Sequence, residues 1–171
     1  MELAAFEKLA VAKRLEDVYL FVEHELINLI LWQNIHRIMF QDIFTWAGQL
    51  RSVQMSKGAT VFAFPEHIES EAMRLFSAFS AENNLNGLNK QQFCNRMAYY
   101  FSELNVLHPF RDGNGRAQRL LFEIISTRAN YEISWWKTTP KIYIDAVIAG
   151  YHQNFSPLDK VFQNIVTEAF V

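Results

Sequence analysis

The chain has 171 residues, half of them apolar and fifteen of them phenylalanine, enough to bury a substantial core without metal or disulfide staples. Sixteen basic against eighteen acidic residues leave a formal charge of −2, which gives no general attraction to nucleic acid or an anionic membrane; neither is expected as a partner. Cys94, the one cysteine, excludes an internal disulfide and reads as a small buried helix residue in a protein of a reducing compartment. No uninterrupted apolar stretch is long enough for membrane insertion, and no basic region leads into an apolar run at the start, so synthesis in the cytoplasm is expected.

Apolar residues recur at spacings of three and four from Glu2 to Arg14 and from Val18 to Phe44, which predicts two or three helices. In the second run Ile35, Ile38, Met39 and Ile43 form an inward stripe, with His36, Arg37 and Gln41 between them. Trp46-Ala47-Gly48 ends that run, Gly48 serving as a C-terminal stop. The period then changes: Val53 and Met55 alternate before a Ser56-Lys57-Gly58 turn, and Val61 to Phe64 follow, predicting a hairpin over about 51–65. No other stretch offers a sheet to join. Its edges are therefore expected either to take a partner strand or to close on the helices as a lid.

Pro65 opens a helix to about Ser80, and Asn83 to Gly87 break it with turn chemistry. From Asn89 to Leu107 runs the most regular helix, with Phe93, Met97, Tyr100, Phe101 and Leu104 on one face. A further helix spans Arg116 to Arg128, buried through Leu120, Leu121, Ile124 and Ile125. Thr139-Pro140 and Ser156-Pro157 each read as a capping side chain followed by proline, and start two C-terminal helices. The expected fold is mostly α, one domain over 1–171 with a single hairpin.

The stretch Leu107 to Arg119 concentrates the chemistry. Pro109 stops the preceding helix near His108. Gly113 and Gly115 allow positive φ and close backbone approach, so successive N–H groups can turn inward where the next helix begins and form an anion nest. Arg116 and Arg119 lie three residues apart in the first turn of that helix, and each can grip phosphate oxygens with a planar fork. Asp112 is a hard oxygen ligand suited to Mg²⁺ alongside phosphates. His108 can be neutral near pH 7 and take a proton from a hydroxyl, which makes it the candidate general base. A helix C-terminus favours the charged imidazolium instead, a tendency that Arg111, Arg116 and a bound cation are expected to oppose. Phe110 reads as an anchor of the loop, and Asn114 as a residue that tolerates the turn. His24, His36, His67 and His152 show no metal-ligand spacing and read as structural; Trp135 and Trp136 lack a basic strip and read as core or pocket wall.

This segment resembles the Fic family signature His-Pro-Phe-x-Asp/Glu-Gly-Asn-Gly-Arg-x-x-Arg, which His108 through Arg119 match at every fixed position; further similarity runs from about Ile35 to Trp135 and includes Trp46-Ala47-Gly48. The resemblance implies a single Fic-type helical domain with a hairpin flap over the active site. It implies a Mg²⁺-dependent protein adenylyltransferase that moves AMP from ATP to a tyrosine, threonine or serine hydroxyl of a target protein docked on the flap by strand addition. By the same resemblance Arg119 holds the γ-phosphate and Arg116 the β-phosphate. The Asn114 side chain meets a phosphate oxygen beside the Gly113 and Gly115 backbone, and Lys57, Gly58, Thr60 and Tyr143 wall the nucleotide pocket. Fic kinases carry lysine where this chain has Gly115, and phosphocholine transferases carry alanine at Gly113, so AMP transfer comes first; another phosphoryl transfer or a non-catalytic docking module is the alternative. Many Fic proteins restrain themselves through Ser/Thr-x-x-x-Glu-Gly/Asn, which this sequence lacks. A separate antitoxin-like protein that supplies a glutamate to Arg119 is therefore expected, or a motif outside this chain, in a toxin or a secreted effector acting in a host cell.

Overall fold

The computed structural model describes residues 2–169. Among them the chain forms seven α-helices and two small sheets: α1 Glu2–Val22, α2 Leu29–Phe40, α3 Pro65–Ala81, α4 Lys90–Leu107, α5 Asn114–Arg128, α6 Pro140–Tyr151 and α7 Ser156–Ile165. The hairpin pairs β1 Ser56–Lys57 with β2 Thr60–Val61, in the register Ser56 to Val61 and Lys57 to Thr60. A second antiparallel pair joins β3 Tyr131–Ile133 to β4 Val166–Glu168. This sheet corrects the expectation of a single hairpin. Its strands are three residues each and far apart in sequence, too short to show a period.

α4 is the central helix, packed against α3, α5, α6 and α7. Phe93, Met97, Tyr100, Phe101 and Leu104 on its inward face are all buried, as are Leu120, Leu121, Ile124 and Ile125 of α5. An Asn89–Gln92 capping box starts α4, the side-chain oxygen of Asn89 accepting from Gln92 N–H at 3.0 Å. Thr139 caps α6 as expected, whereas Ser156 lies inside α7 and caps nothing. Cys94 is buried on α4, and burial pushes its thiol up to about 12.

Two boundaries differ from the expected ones. α1 continues through Arg14 to Val22, and α2 stops at Phe40 instead of Phe44. The break between them has tertiary causes. Arg128 of α5 donates to the carbonyls of Val22 and Glu25, satisfying the end of α1, and Asn28 caps α2 by accepting from Leu31 N–H at 2.8 Å.

Candidate active site

The loop between α4 and α5 is held by His36, a residue distant in sequence that Gly48 in turn orients. His36 of α2 is wholly buried, stacked on Phe110 with ring centroids 3.9 Å apart, and its tautomer is fixed by its partners. Gly48 N–H donates to Nδ1 at 2.9 Å, so Nε2 carries the proton and donates to the Asp112 carbonyl at 2.9 Å. Burial holds this imidazole down at about 4, with the nearby Arg116 charge adding to the effect. The reading of His36 as a residue between inward positions is thus corrected. Gly48 needs both its positive φ of 81° and its missing side chain, because a Cβ would sit 2.7 Å from that of Arg37. Trp46-Ala47-Gly48 does not stop the helix, which ends at Phe40; it delivers the N–H that orients His36.

Phe110 is buried as the anchor, and Asn114 clasps it, its side chain accepting from Phe110 N–H at 2.8 Å and donating to Phe110 O at 2.7 Å. Both polar atoms of the Asn114 side chain are therefore bonded within the loop, to Phe110. Gly113 has φ +76°, and a Cβ there would lie 2.6 Å from the Phe40 ring. Gly115 lies in the first turn of α5 with ordinary space around it, so of the two glycines only Gly113 needs the left-handed region.

Arg116 and Arg119 diverge. Arg119 faces a cavity and approaches Tyr143, its guanidinium 5.9 Å from the ring centre. Arg116 turns to α1, pairing with Glu7 at 2.5 Å, lying over Phe40 and standing 3.8 Å from Asp112. The structure does not bring the two guanidiniums together: Arg116 pairs with Glu7 and Arg119 lines the cavity. Asp112 itself is 65% exposed at its side chain, and one oxygen accepts from Gly113 N–H at 2.5 Å. Arg111 is exposed.

His108 ends α4 in the left-handed region, φ 43° and ψ 60°, and its ring stacks on Phe62 of the flap with centroids 3.7 Å apart and planes 12° from parallel. Nδ1 is buried beside the Asn105 backbone without a hydrogen bond of ordinary geometry, which leaves Nε2 for the cavity. Burial, then the Arg51 and Lys57 charges, bring this imidazole down to about 4, against the Asn105 carbonyl and Asp112. The helix end therefore does not hold it protonated, and the opposing charges are Arg51 and Lys57 in place of Arg111 and Arg116.

A cavity of about 830 Å³ opens between flap, α5 and α6, and His108, Gly115, Arg119, Lys57, Gly58, Thr60 and Tyr143 all line it. Asp112, Gly113, Asn114 and Arg116 stand outside its walls. The sequence reading missed Phe62, Asn105, Thr138 and Tyr151, which also line it; Trp135 and Trp136, read as core or pocket wall, line it too. The run Val61 to Phe64 is apolar throughout, so no alternation singles out Phe62, and nothing local marks Tyr151. Its hydroxyl donates to Val61 O at 3.1 Å and accepts from Val61 N–H at 3.3 Å, which closes the cavity at the flap. No helix of the described residues is long and apolar enough to cross a membrane.

A family model described as Fic/DOC family matches residues 27–126. The chain is 41% identical over 137 residues to "Probable protein adenylyltransferase Fic" of Escherichia coli strain K12, spanning 80% of this chain and 68% of that protein. The crystal structure of the N-terminal Fic domain of a VirB-translocated Bep effector from Bartonella quintana, with bound ADP, superposes with a TM-score of 0.88 at 27% identity, over 98% of this chain and 86% of that one. BepC of Bartonella tribocorum with bound AMPPNP gives 0.85 at 26% identity, over 99% and 88%. With the signature intact from His108 to Arg119 and more than half its length matched by the family model, this chain belongs to the Fic/DOC family.

Proposed function

We propose that this protein transfers AMP from ATP to a hydroxyl side chain of another protein. The observation that carries the reading is one cavity that joins His108, Arg119 and the N-terminal turn of α5 at Gly115 to an apolar wall of Trp135, Trp136 and α6 residues. The wall suits a nucleoside; Arg119 and the first-turn N–H groups of α5 suit its phosphates. His108 takes the acceptor proton at Nε2. The acceptor oxygen then bonds to the α-phosphorus as the bond from that phosphorus to the bridging oxygen breaks, and pyrophosphate leaves with that electron pair. Asp112, exposed beside the nest and carrying one carboxylate, fits a site for Mg²⁺ completed by phosphates and water; bound there, the ion neutralises phosphate charge. Gly113 and Asn114 shape the nest, and Arg116 braces Asp112 from the side of α1.

The ADP- and AMPPNP-bound neighbours and the adenylyltransferase relative support this reading. The exposed hairpin is the docking edge for an extended segment of the target. Tyr151 covers the outward groups of Val61, so β1 offers the freer edge. Arg119 makes no ion pair among the described residues, which leaves it open to a glutamate from a separate antitoxin-like partner. The Bep neighbour is a translocated effector, and the same use, delivery from the cytoplasm into a host cell, is proposed here. Mass spectrometry of an extract incubated with the protein, ATP and Mg²⁺ tests the function: AMP adducts on hydroxyl side chains are expected, absent with His108→Ala. Adducts that persist with His108→Ala would overturn it.

A further inference from the structure

Arg51 precedes the flap and lies outside the cavity, yet its side chain is spent on the catalytic end of α4. It is 2% exposed. Nε donates to His108 O at 2.7 Å, Nη1 to Val53 O at 2.7 Å, and Nη2 to Ala63 O at 2.6 Å and Leu107 O at 3.1 Å. Every acceptor is a backbone carbonyl, and among the described residues no carboxylate pairs with the guanidinium. A buried cation without a counter-ion is expensive to keep, so the arrangement has to be justified by what the fork holds. Leu107 and His108 supply two of the orphan carbonyls at the end of α4; Val53 and Ala63 flank the flap on its two sides. Backbone bonds run in parallel, from Arg51 N–H to Pro109 O at 2.8 Å and from Ala63 N–H to Val106 O at 2.9 Å. Only a planar guanidinium presents donors in the directions these carbonyls require.

We propose that Arg51 is the positioning residue for His108: it clamps the end of α4, holds His108 in the left-handed conformation that aims its imidazole into the cavity, and fastens the flap so that Phe62 stays stacked on that ring. The inference rests on His108 acting as the base. Its electrostatic side follows from the same geometry. The last carbonyls of a helix stabilise a protonated imidazole, and Arg51 places a fixed positive charge on those carbonyls. The other charged groups that face His108 are Lys57 of the flap, Asp112 of the loop and, across the cavity, Arg119 of α5.

Arg51→Lys keeps the charge and loses the fork; Arg51→Met loses both. In this chain, NMR titration of the His108 imidazole should move up toward the ordinary histidine range in Arg51→Met and much less in Arg51→Lys. The Ala63 and Arg51 neighbourhood should loosen in both, with Ala63 amide exchange about tenfold faster. ADP affinity should stay within about threefold, while kcat for AMP transfer falls at least about tenfold with little change in KM for ATP. The proposal is overturned if Arg51→Lys lowers Tm but leaves the Ala63 exchange and kcat unchanged, or if Arg51→Met leaves the titration of His108 in place. Should Arg51→Met fail to fold, the exchange and kcat of Arg51→Lys decide. A wild-type protein that transfers no AMP would defeat the functional reading alone, because titration and exchange report on the clamp without turnover.

Discussion

At Gly113 two constraints meet: a φ of +76° and a Phe40 ring 2.6 Å from where a Cβ would stand. Alanine there adds left-handed strain to a collision in a packed core. Gly113→Ala should therefore lose about 2 kcal/mol or more of stability in urea unfolding and weaken ADP binding at least about tenfold in calorimetry. Unchanged binding would remove the glycine from the nest. The neighbouring Asn114 matches the signature, but its bonding partners are a separate matter. Its identity was legible, but its amide is committed to Phe110 N–H and O, a fact set by a loop conformation that spacing does not encode. His36 and Arg51 were harder still. Each acts on the loop through backbone carbonyls far away in sequence, His36 on Asp112 and Arg51 on Leu107 and His108, so no local pattern marks them.

The elements follow the same logic. α4, with its capping box and one apolar face, was readable from Asn89 to Leu107 because its signal is periodic and its ends are chemical. The flap was readable as a hairpin, while its attachment was not: Tyr151 reaches it from the end of α6 and bonds both outward groups of Val61. Removing that hydroxyl tests the latch. Tyr151→Phe should speed Val61 amide exchange on the order of fivefold, the effect expected from losing about 1 kcal/mol of hydrogen bonding, with little change in Tm. Identical exchange in the variant would show that the flap is held by its own strands. The β3–β4 pair escaped notice for a related reason, since a sheet of three-residue strands is specified by the helices that bring its halves together.

Across the whole molecule, the two histidines that frame the active loop are both held neutral, at about 4, chiefly by burial. Their unfolded value is near 6.5, so between these limits the unfolded chain binds more protons, and stability must rise with pH through that window. Acidification from pH 6.5 toward 4 should cost up to about 3 kcal/mol for His36, measured as the fall in urea midpoint. Glu103 and Glu123, whose carboxyls burial pushes up, oppose the loss in part. In His108→Ala the fall should shrink by about half; an undiminished fall would contradict the neutral, buried imidazole. That variant also decides the function. The protein and His108→Ala would be incubated in extract with Mg²⁺ and ATP labelled at either the α or the γ phosphate. Label carried onto protein from the α position alone, and only when His108 is present, is the result predicted for AMP transfer; label from γ, or from α without His108, would contradict it.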